Sequence, residues 1–211
     1  MLAIIDYGMG NLYSVKNALD FLEIESVISS DPEVLEVADG LILPGVGAFP
    51  DAMETLESKG LAKLVVRMAK EGKPLMGICL GMQLLLDESE EVRPCRGLGL
   101  ISGKCIKMKP EGLKIPHIGW NDITISDKAC PILEGIADGS YVYFVHSFRA
   151  DFDKDNEGSI AAYTQYGEKV PAVISNGKNV FGAQFPPEKS EKTGLAMLKN
   201  FNDFVNTRRT L

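Results

Sequence analysis

The sequence has few histidine, cysteine and tryptophan residues. Its 211 residues include two histidines, one tryptophan and four cysteines, Cys79, Cys95, Cys105 and Cys130. The cysteines form no C-x-x-C pair and do not cluster with the histidines, which argues against the common zinc motifs and a disulfide framework. We therefore expect no metal site, no bound cofactor and a reducing, cytoplasmic location.

An excess of basic residues and long apolar runs are also absent. The chain has 22 Lys and Arg against 29 Asp and Glu, a formal net charge of −7. Because the basic residues are scattered among more numerous acids, we expect no nucleic-acid partner. The first apolar run, residues 2–7, is too short for a signal segment, and no run approaches the length of a membrane span. The length suits one hydrophobic core, so we predict a single domain over residues 1–211.

Short apolar runs alternate with helical patterns in the first 90 residues. We predict strands at residues 2–6, 26–29, 39–43 and 74–78, each followed by a helix. Asp31 is expected to cap the second helix, residues 50–71 form two helical segments around Gly60, and the fourth helix extends to about residue 90. This order is typical of a parallel sheet with right-handed crossovers.

The second half of the sequence is rich in short β patterns. They lie at residues 100–108, 118–125, 141–149, 159–166, 172–175 and 180–185, separated by turn residues such as Asn176 and Gly177. An amphipathic helix is predicted at residues 190–207. The predicted fold class is therefore α/β, a mostly parallel central sheet flanked by helices, with added antiparallel strands in the C-terminal half.

Residues 77–81, GICLG, lie between a predicted strand and a predicted helix. This is the arrangement in which G-x-S-x-G hydrolases hold a serine, here with Cys79 in its place. Glycine suits both flanking positions because so sharp a turn leaves no room for side chains. We expect the start of the following helix to favour the Cys79 thiolate, and the N–H of Leu80 to face a developing oxyanion. The alternative is a buried core cysteine beside two packing glycines.

Residues 44–47, PGVG, follow the third predicted strand. A turn at the carboxyl end of a parallel strand can aim backbone N–H groups into a ligand crevice. The alternative is a tight turn without function.

A second motif, FGAQFPPEKS at residues 181–190, precedes the last helix. With GICLGMQ at residues 77–83, it resembles the class I (triad) glutamine amidotransferases, whose second motif reads F-H-P-E. The chain is still more similar to the family of glutaminase subunits of imidazole glycerol phosphate synthase, through DYGMGNL at 6–12, LPGVGAF at 43–49, PHIGWN at 116–121 and YFVHSF at 143–148. The resemblance covers nearly the whole chain and implies a flavodoxin-like fold.

The resemblance also implies roles for individual residues. Cys79 would attack the carboxamide of L-glutamine, and Glu188 would orient the histidine of the triad. The substrate and its oxyanion would be held by Gly45, Val46, Gly47, Leu80, Gly81 and Gln83. The implied partner is a (β/α)8-barrel cyclase, which forms a heterodimer with the glutaminase and receives its ammonia. Residues implied on the partner side are Asn11, His117, Trp120, Asn121, Tyr143, His146 and Ser147.

The sequence departs from the family at residue 186, where proline replaces the triad histidine. Proline can neither take the thiol proton nor protonate the leaving amine, so we predict an impaired glutaminase. We do not expect His117 or His146 to replace that base, because both belong to family motifs and have places of their own. Glu188 would then have no partner, and its charge near Cys79 would disfavour the thiolate.

Two alternatives stay open at this point. The chain is either an impaired glutaminase or a catalytically dead module that binds glutamine and partner and stabilises or regulates an ammonia-dependent cyclase. A glutaminase of another pathway, such as pyridoxal phosphate synthesis, fits LPGVGAF and PHIGWN less well. Trp120 is expected on the partner side, with core packing as the alternative.

Overall fold

Residues 1–84 alternate strand and helix in the computed structural model, which describes residues 1–209. The strands are β1 (Leu2–Ile5), β2 (Ser26–Ser29), β3 (Gly40–Gly45) and β4 (Leu75–Cys79). The helices are α1 (Leu12–Phe21), α2 (Pro32–Val37), α3 (Phe49–Ser58), α4 (Leu61–Lys70) and α5 (Leu80–Leu84). The predicted cap of α2 is confirmed, since Glu33 N donates to Asp31 Oδ1 at 2.9 Å. Gly60, at φ +71°, separates α3 from α4 as predicted.

The rest of the described chain is mainly β, and it ends in a long helix. Its strands are β5 (Glu88–Ser89), β6 (Cys95–Arg96), β7 (Lys104–Lys107), β8 (His117–Asp122), β9 (Thr124–Ile125), β10 (Tyr141–His146), β11 (Phe148–Asp151), β12 (Ile160–Gln165), β13 (Lys169–Ser175) and β14 (Val180–Ala183). Short 3-10 turns lie at Pro131–Leu133, Glu157–Ser159 and Pro187–Lys189. The last helix is α6 (Glu191–Arg209).

Within residues 1–209, the main sheet has eight strands in the order β2-β1-β3-β4-β14-β13-β12-β9. The first five strands of this order are parallel, and β13, β12 and β9 continue the sheet antiparallel. Two smaller sheets, β10-β8 and β11-β7-β5-β6, lie outside it. The predicted fold class is confirmed.

The main sheet is buried on both faces. Alternate residues of a strand point to opposite faces: Ile5 and Leu43 pack with α2 to α5, whereas Ile4 and Ile42 pack with α1 and α6. The apolar face predicted for α6 is confirmed, with Leu198, Phe201 and Val205 buried and Leu195 and Phe204 half-buried. None of the helices in residues 1–209 combines the length and the apolarity needed to cross a bilayer.

The helix predicted to continue to about residue 90 ends at Leu84, so that prediction was wrong. Instead of continuing the helical hydrogen bonds, the carbonyl groups of Leu84, Leu85 and Leu86 accept from the backbone N–H groups of Leu98, Leu100 and Gly99. Because the N–H groups of residues 98–101 are used in these bonds, the strand predicted from residue 100 begins only at Lys104. The pattern at 141–149 likewise splits at Ser147, because β10 pairs with β8 and β11 with β7.

The carboxyl ends of the parallel strands meet at one edge of the main sheet. Residues 6–11, 46–48 and 184–188 follow β1, β3 and β14 there, and Cys79 ends β4. Open parallel sheets bind their ligands at this edge. The two recognised motifs, far apart in sequence, therefore come together because β4 and β14 are neighbouring strands.

We expect Gly81→Ala to lower the free energy of unfolding by more than about 3 kcal/mol, because a Cβ there would lie 1.8 Å from the backbone oxygen of Leu43. Urea denaturation would measure the change. Gly158→Ala is the matched control, since no atom lies within 4 Å of its added Cβ and its φ is not positive. Equal effects of the two substitutions would contradict the prediction.

Candidate active site

Cys79 has the backbone geometry of a strained turn between strand and helix. Its φ is +55° and its ψ −113°, a conformation that residues other than glycine rarely adopt. A Cβ on Gly77 would lie 2.6 Å from the carbonyl oxygen of Gly81, so neither flanking glycine tolerates a side chain. The predicted need for glycine on both sides is confirmed. Strain of this kind distinguishes Cys79 from an ordinary core cysteine.

Two cavities meet at Cys79. The larger, the substrate cleft, has a volume of about 360 Å³ and is lined by Val46, Gly47, Cys79, Leu80, Gln83, Glu91, Pro116 and residues 145–148. The smaller, the base cavity, has a volume of about 70 Å³ and is lined by Asn11, Val15, Pro44, Gly45, Val46, Ile78, Cys79, Val145, Pro186, Glu188 and Lys189. The candidate nucleophile therefore separates a space of substrate size from a smaller one that contains the second motif.

The PGVG segment packs directly against the turn at Cys79. A Cβ on Gly45 would lie 2.7 Å from Gly81 N, so the end of β3 and the start of α5 are in backbone contact. Val46 and Gly47 line the substrate cleft together with Leu80, as expected for these three residues. Gly81 lines neither cavity and lies against Leu43 and Gly45. Its contribution is to hold the turn in place.

Gln83 lies on the wall of the substrate cleft and is almost fully buried. Its Nε2 donates to Phe148 O at 3.0 Å and to Gln184 Oε1 at 3.1 Å. Sequence reasoning missed Gln184, which lies within the second motif, and Glu91, which lines the cleft and accepts from Phe49 N at 2.8 Å. Gln184 had no role assigned to it in that motif, and Glu91 fell in a segment predicted to follow the helix directly.

Pro186 and Glu188 lie on the wall of the base cavity, beside Cys79. Pro186 has φ −74° and ψ 108°, so its backbone conformation is one that proline prefers. Its carbonyl accepts from Ser190 Oγ at 2.9 Å, and that hydroxyl accepts from Tyr143 N at 3.0 Å. Glu188 Oε2 is buried and has no hydrogen-bond partner among residues 1–209. Such unpaired buried acceptors are rare in proteins.

Comparison with known proteins agrees with this geometry. A family model described as Glutamine amidotransferase class-I matches residues 3–204. The chain belongs to the class-I glutamine amidotransferase family. The resemblance inferred from the motifs is confirmed.

Curated relatives of this amidotransferase cover almost its full length. The imidazole glycerol phosphate synthase subunit HisH of Bacillus cereus (strain G9842) is 49% identical over 205 residues, which are 97% of this chain and 95% of the relative. The subunit of the same name from Bacillus anthracis (strain CDC 684 / NRRL 3495) is 47% identical over 207 residues, 98% of this chain and 96% of the relative.

Solved structures share the fold of this amidotransferase at lower identity. A crystal structure of a glutamine amidotransferase superimposes with a TM-score of 0.75 at 20% identity, covering 97% of this chain and 98% of that one. The structure of PurLQS from Thermotoga maritima gives a TM-score of 0.71 at 21% identity, with the same coverage.

In this amidotransferase, the thiol of Cys79 is held in its neutral form. Burial raises the pKa of the thiol to about 11, and the nearby Glu188 adds to the increase. A hydrogen bond from the backbone of Leu80 acts in the opposite direction but is outweighed. The start of α5 therefore acts in the expected direction, but its effect is smaller than that of burial, so the net pKa is raised. The predicted effect of Glu188 on the thiolate has the expected direction.

The two histidines form a hydrogen-bonded pair. His146 Nδ1 donates to Phe148 O at 2.8 Å, so its neutral ring presents Nε2 as an acceptor, 3.2 Å from His117 Nδ1. The ring of His117 stacks on Tyr166 and Phe144, with centroid distances of 3.9 and 4.6 Å. Burial is the largest influence on both and lowers each pKa to about 4. Both ring nitrogens of His146 are engaged, so the structure offers no base in place of residue 186 there.

Strands β8 and β10 carry an exposed apolar face. Trp120 is 48% exposed and lies opposite Tyr143, with ring centroids 5.8 Å apart. Ile118, Tyr141 and Val145 are also exposed. We define these five residues as the ribbon face. The core alternative for Trp120 is contradicted by this exposure.

The remaining residues expected on the partner side lie at several different places in the structure. Asn11 lines the base cavity, and Ser147 and His146 line the substrate cleft. Asn121 Nδ2 donates to Gln165 O at 3.0 Å, and His117 is buried. The structure therefore brings only Trp120 and Tyr143 of this group to the ribbon face.

Stability should fall as the pH is lowered from about 6.5 to 4, because the unfolded chain takes up protons on two histidines that the folded chain keeps neutral. The contribution is fully present above pH 6.5. We expect the free energy of unfolding to be lower by on the order of 4 kcal/mol at pH 5 than at pH 7, about half of it from each histidine, as measured by urea titrations. The double variant His117→Phe, His146→Gln should show a shallower pH dependence. Parallel curves for variant and parent would refute this assignment.

Proposed function

We propose that this chain is the glutaminase subunit of an imidazole glycerol phosphate synthase and that its 211 residues form one domain. The observation that carries the proposal is the strained Cys79 turn at the wall of a cleft of about 360 Å³. The HisH relatives at 47–49% identity support this assignment over that of a glutaminase that serves another enzyme.

The proposed reaction hydrolyses L-glutamine to glutamate and ammonia. Cys79 Sγ attacks the side-chain carboxamide, and the N–H of Leu80 with the peptide of Val46 and Gly47 stabilises the oxyanion. Gln83 and Glu91, on the cleft wall, would orient the substrate. The thiol proton must reach the carboxamide nitrogen as the C–N bond breaks, so that ammonia leaves, and water then hydrolyses the thioester and restores the thiol. A (β/α)8-barrel cyclase would receive the ammonia.

The proposed glutaminase is impaired, because its proton acceptor is missing from the chain. With a thiol pKa of about 11, only a very small fraction is thiolate at neutral pH. Pro186 cannot accept the proton or return it to the amine. Desolvation raises the pKa of the Glu188 carboxyl, and among residues 1–209 its buried Oε2 has no partner to orient.

The same observations favour a second candidate, a module that binds glutamine and cyclase without turnover. In that case the partner uses free ammonia, and this subunit stabilises or regulates it. The substrate cleft supports glutamine binding in both cases. Glutamate release distinguishes the two candidates.

The proposed cyclase-binding surface centres on the ribbon face. Its exposed tryptophan and tyrosine are residue types that contribute strongly to protein interfaces. The segment at residues 6–12, which contributes Asn11 to the base cavity, would lie at the same interface.

Pro186→His should raise glutamate release by the complex with the cyclase about 10²–10⁴-fold, since the imidazole supplies the base that the chain lacks. The backbone at residue 186 has φ −74°, which histidine adopts without strain. A coupled assay for glutamate would measure the rate. Pro186→Ala is the matched control and should stay at the parental rate. Equal activity of the parent and the histidine variant would contradict the mechanism.

Trp120→Ala should weaken the complex with the cyclase about 30-fold in Kd, equivalent to about 2 kcal/mol, because it removes a central aromatic contact. Isothermal titration calorimetry would measure the affinity. Val37→Ala is the control: Val37 is 74% exposed, but α2 ends there at the opposite edge of the sheet from Cys79. A normal Kd for the tryptophan variant would exclude the ribbon face as the centre of the interface.

A further inference from the structure

The base cavity is lined by both the candidate nucleophile Cys79 and Glu188, whose Oε2 is buried. Its volume of about 70 Å³ exceeds the roughly 10–15 Å³ that one water molecule needs. Most of its wall is apolar and includes Val15, Ile78, Val145 and Pro186. A small molecule with apolar faces and polar edges would suit such a wall.

Glu188 sets the first chemical requirement for a ligand. Its Oε2 is buried without a hydrogen-bond partner among the residues that the structure describes. A buried acceptor of this kind costs about 1–3 kcal/mol unless a donor reaches it. The neighbouring Pro186 has no N–H group and an aliphatic side chain, so it supplies no donor. The ligand must therefore carry an N–H or O–H group.

Cys79, which also lines the cavity, sets the second requirement. Burial holds its thiol neutral, so the thiol has a proton to give, and no hydrogen bond joins it to Glu188 Oε2 within the described residues. A ligand that donates at one end and accepts at the other would satisfy both groups. Neutral imidazole has this arrangement in a flat five-membered ring. An ammonium ion, which only donates, would satisfy Glu188 but not Cys79.

We propose that the base cavity binds a small base of the imidazole class and that this ligand makes the glutaminase active. The inference rests on the proposed glutaminase function. One ring N–H would donate to Glu188 Oε2, and the other nitrogen would face Cys79 Sγ. The ammonium group of Lys189, which also lines the cavity, opposes a positive ring, and the carboxylate of Glu188 offsets it.

The proton balance closes with the ligand acting as a catalyst. The ring nitrogen takes the thiol proton as the bond forms between Sγ and the carboxamide carbon. The resulting imidazolium gives this proton to the nitrogen as the C–N bond breaks, so ammonia leaves. Neutral imidazole then takes a proton from a water molecule while the oxygen of that water attacks the thioester carbon. The proton returns to Sγ as the C–S bond breaks and glutamate departs. The sum is glutamine and water to glutamate and ammonia.

The test titrates imidazole into the complex of the full chain with its cyclase at pH 7.5 and measures glutamate release. We expect a saturable rise of about 10²-fold. N-methylimidazole, which lacks the N–H for Glu188, should give much less, and ammonium chloride should give none. Glu188→Gln should reduce the effect of imidazole. A linear response that is equal for imidazole and N-methylimidazole would mean catalysis from solution and would overturn the proposed site.

Pro186→His separates the two proposals, because its own ring would fill the base cavity. We expect this variant to be active and insensitive to imidazole. If it is active while the parent does not respond to imidazole, the ligand site is refuted and the glutaminase proposal stands. If neither protein releases glutamate under any condition, both are refuted.

Alkylation of Cys79 gives a readout that does not depend on turnover. Imidazole should accelerate the reaction of Cys79 with iodoacetamide, followed by mass spectrometry of its peptide, and the acceleration should saturate. The half-buried Cys95 is the internal control and should be unaffected. Equal acceleration at both cysteines would count against a site at Cys79.

Discussion

The close backbone contact between the end of β3 and the Cys79 turn is the constraint on which the site depends. Gly45, Gly77 and Gly81 permit it, since a Cβ on any of them would come within 2.7 Å of another backbone atom. The contact holds Cys79 at φ +55° and aligns it in register with Gly45 of the neighbouring strand. It therefore places the candidate nucleophile beside the PGVG segment, where an oxyanion would be stabilised.

Desolvation of the Cys79 thiol by the surrounding protein has an electrostatic consequence. A thiol with few polar neighbours keeps its proton, and the pKa of Cys79 rises to about 11. A nucleophile in such an environment depends on a nearby base to take its proton during attack. The geometry of the turn and the identity of residue 186 are thus separate conditions for activity. In the proposed mechanism, this chain meets the first condition with its glycines and departs from the second with Pro186.

Hydrogen bonds connect strand β8 with the cleft. His117 donates to His146, and the carbonyl of Phe148 accepts from both His146 and Gln83. Gln83 belongs to α5, the helix that begins directly after Cys79. The two histidines therefore have a defined structural place, and their neutral tautomers are fixed by the Phe148 carbonyl. This arrangement leaves neither ring nitrogen of His146 free to take a proton.

Local sequence patterns determined most of the elements and the identity of the candidate site. The run of strand and helix over residues 1–84, the Asp31 cap and the glycines around Cys79 follow from short-range chemistry, because periodicity, capping and steric fit act within a few residues. The motifs also identified Cys79, Pro186 and Glu188 and the family that they resemble. Their functional assignments stay proposals.

Only the tertiary structure decided where helix α5 ends, which residues line the cleft and how the pKa values of the site residues are shifted. The carbonyl groups of Leu84 to Leu86 bond to a loop more than ten residues later in the chain, and no local pattern encodes such a partner. Glu91 and Gln184 reach the site through strand pairing and loop packing. The raised pKa of Cys79 and the unpaired Glu188 oxygen depend on burial. Burial is a property of the packed chain, because it is set by residues from several strands that meet at one edge of the sheet.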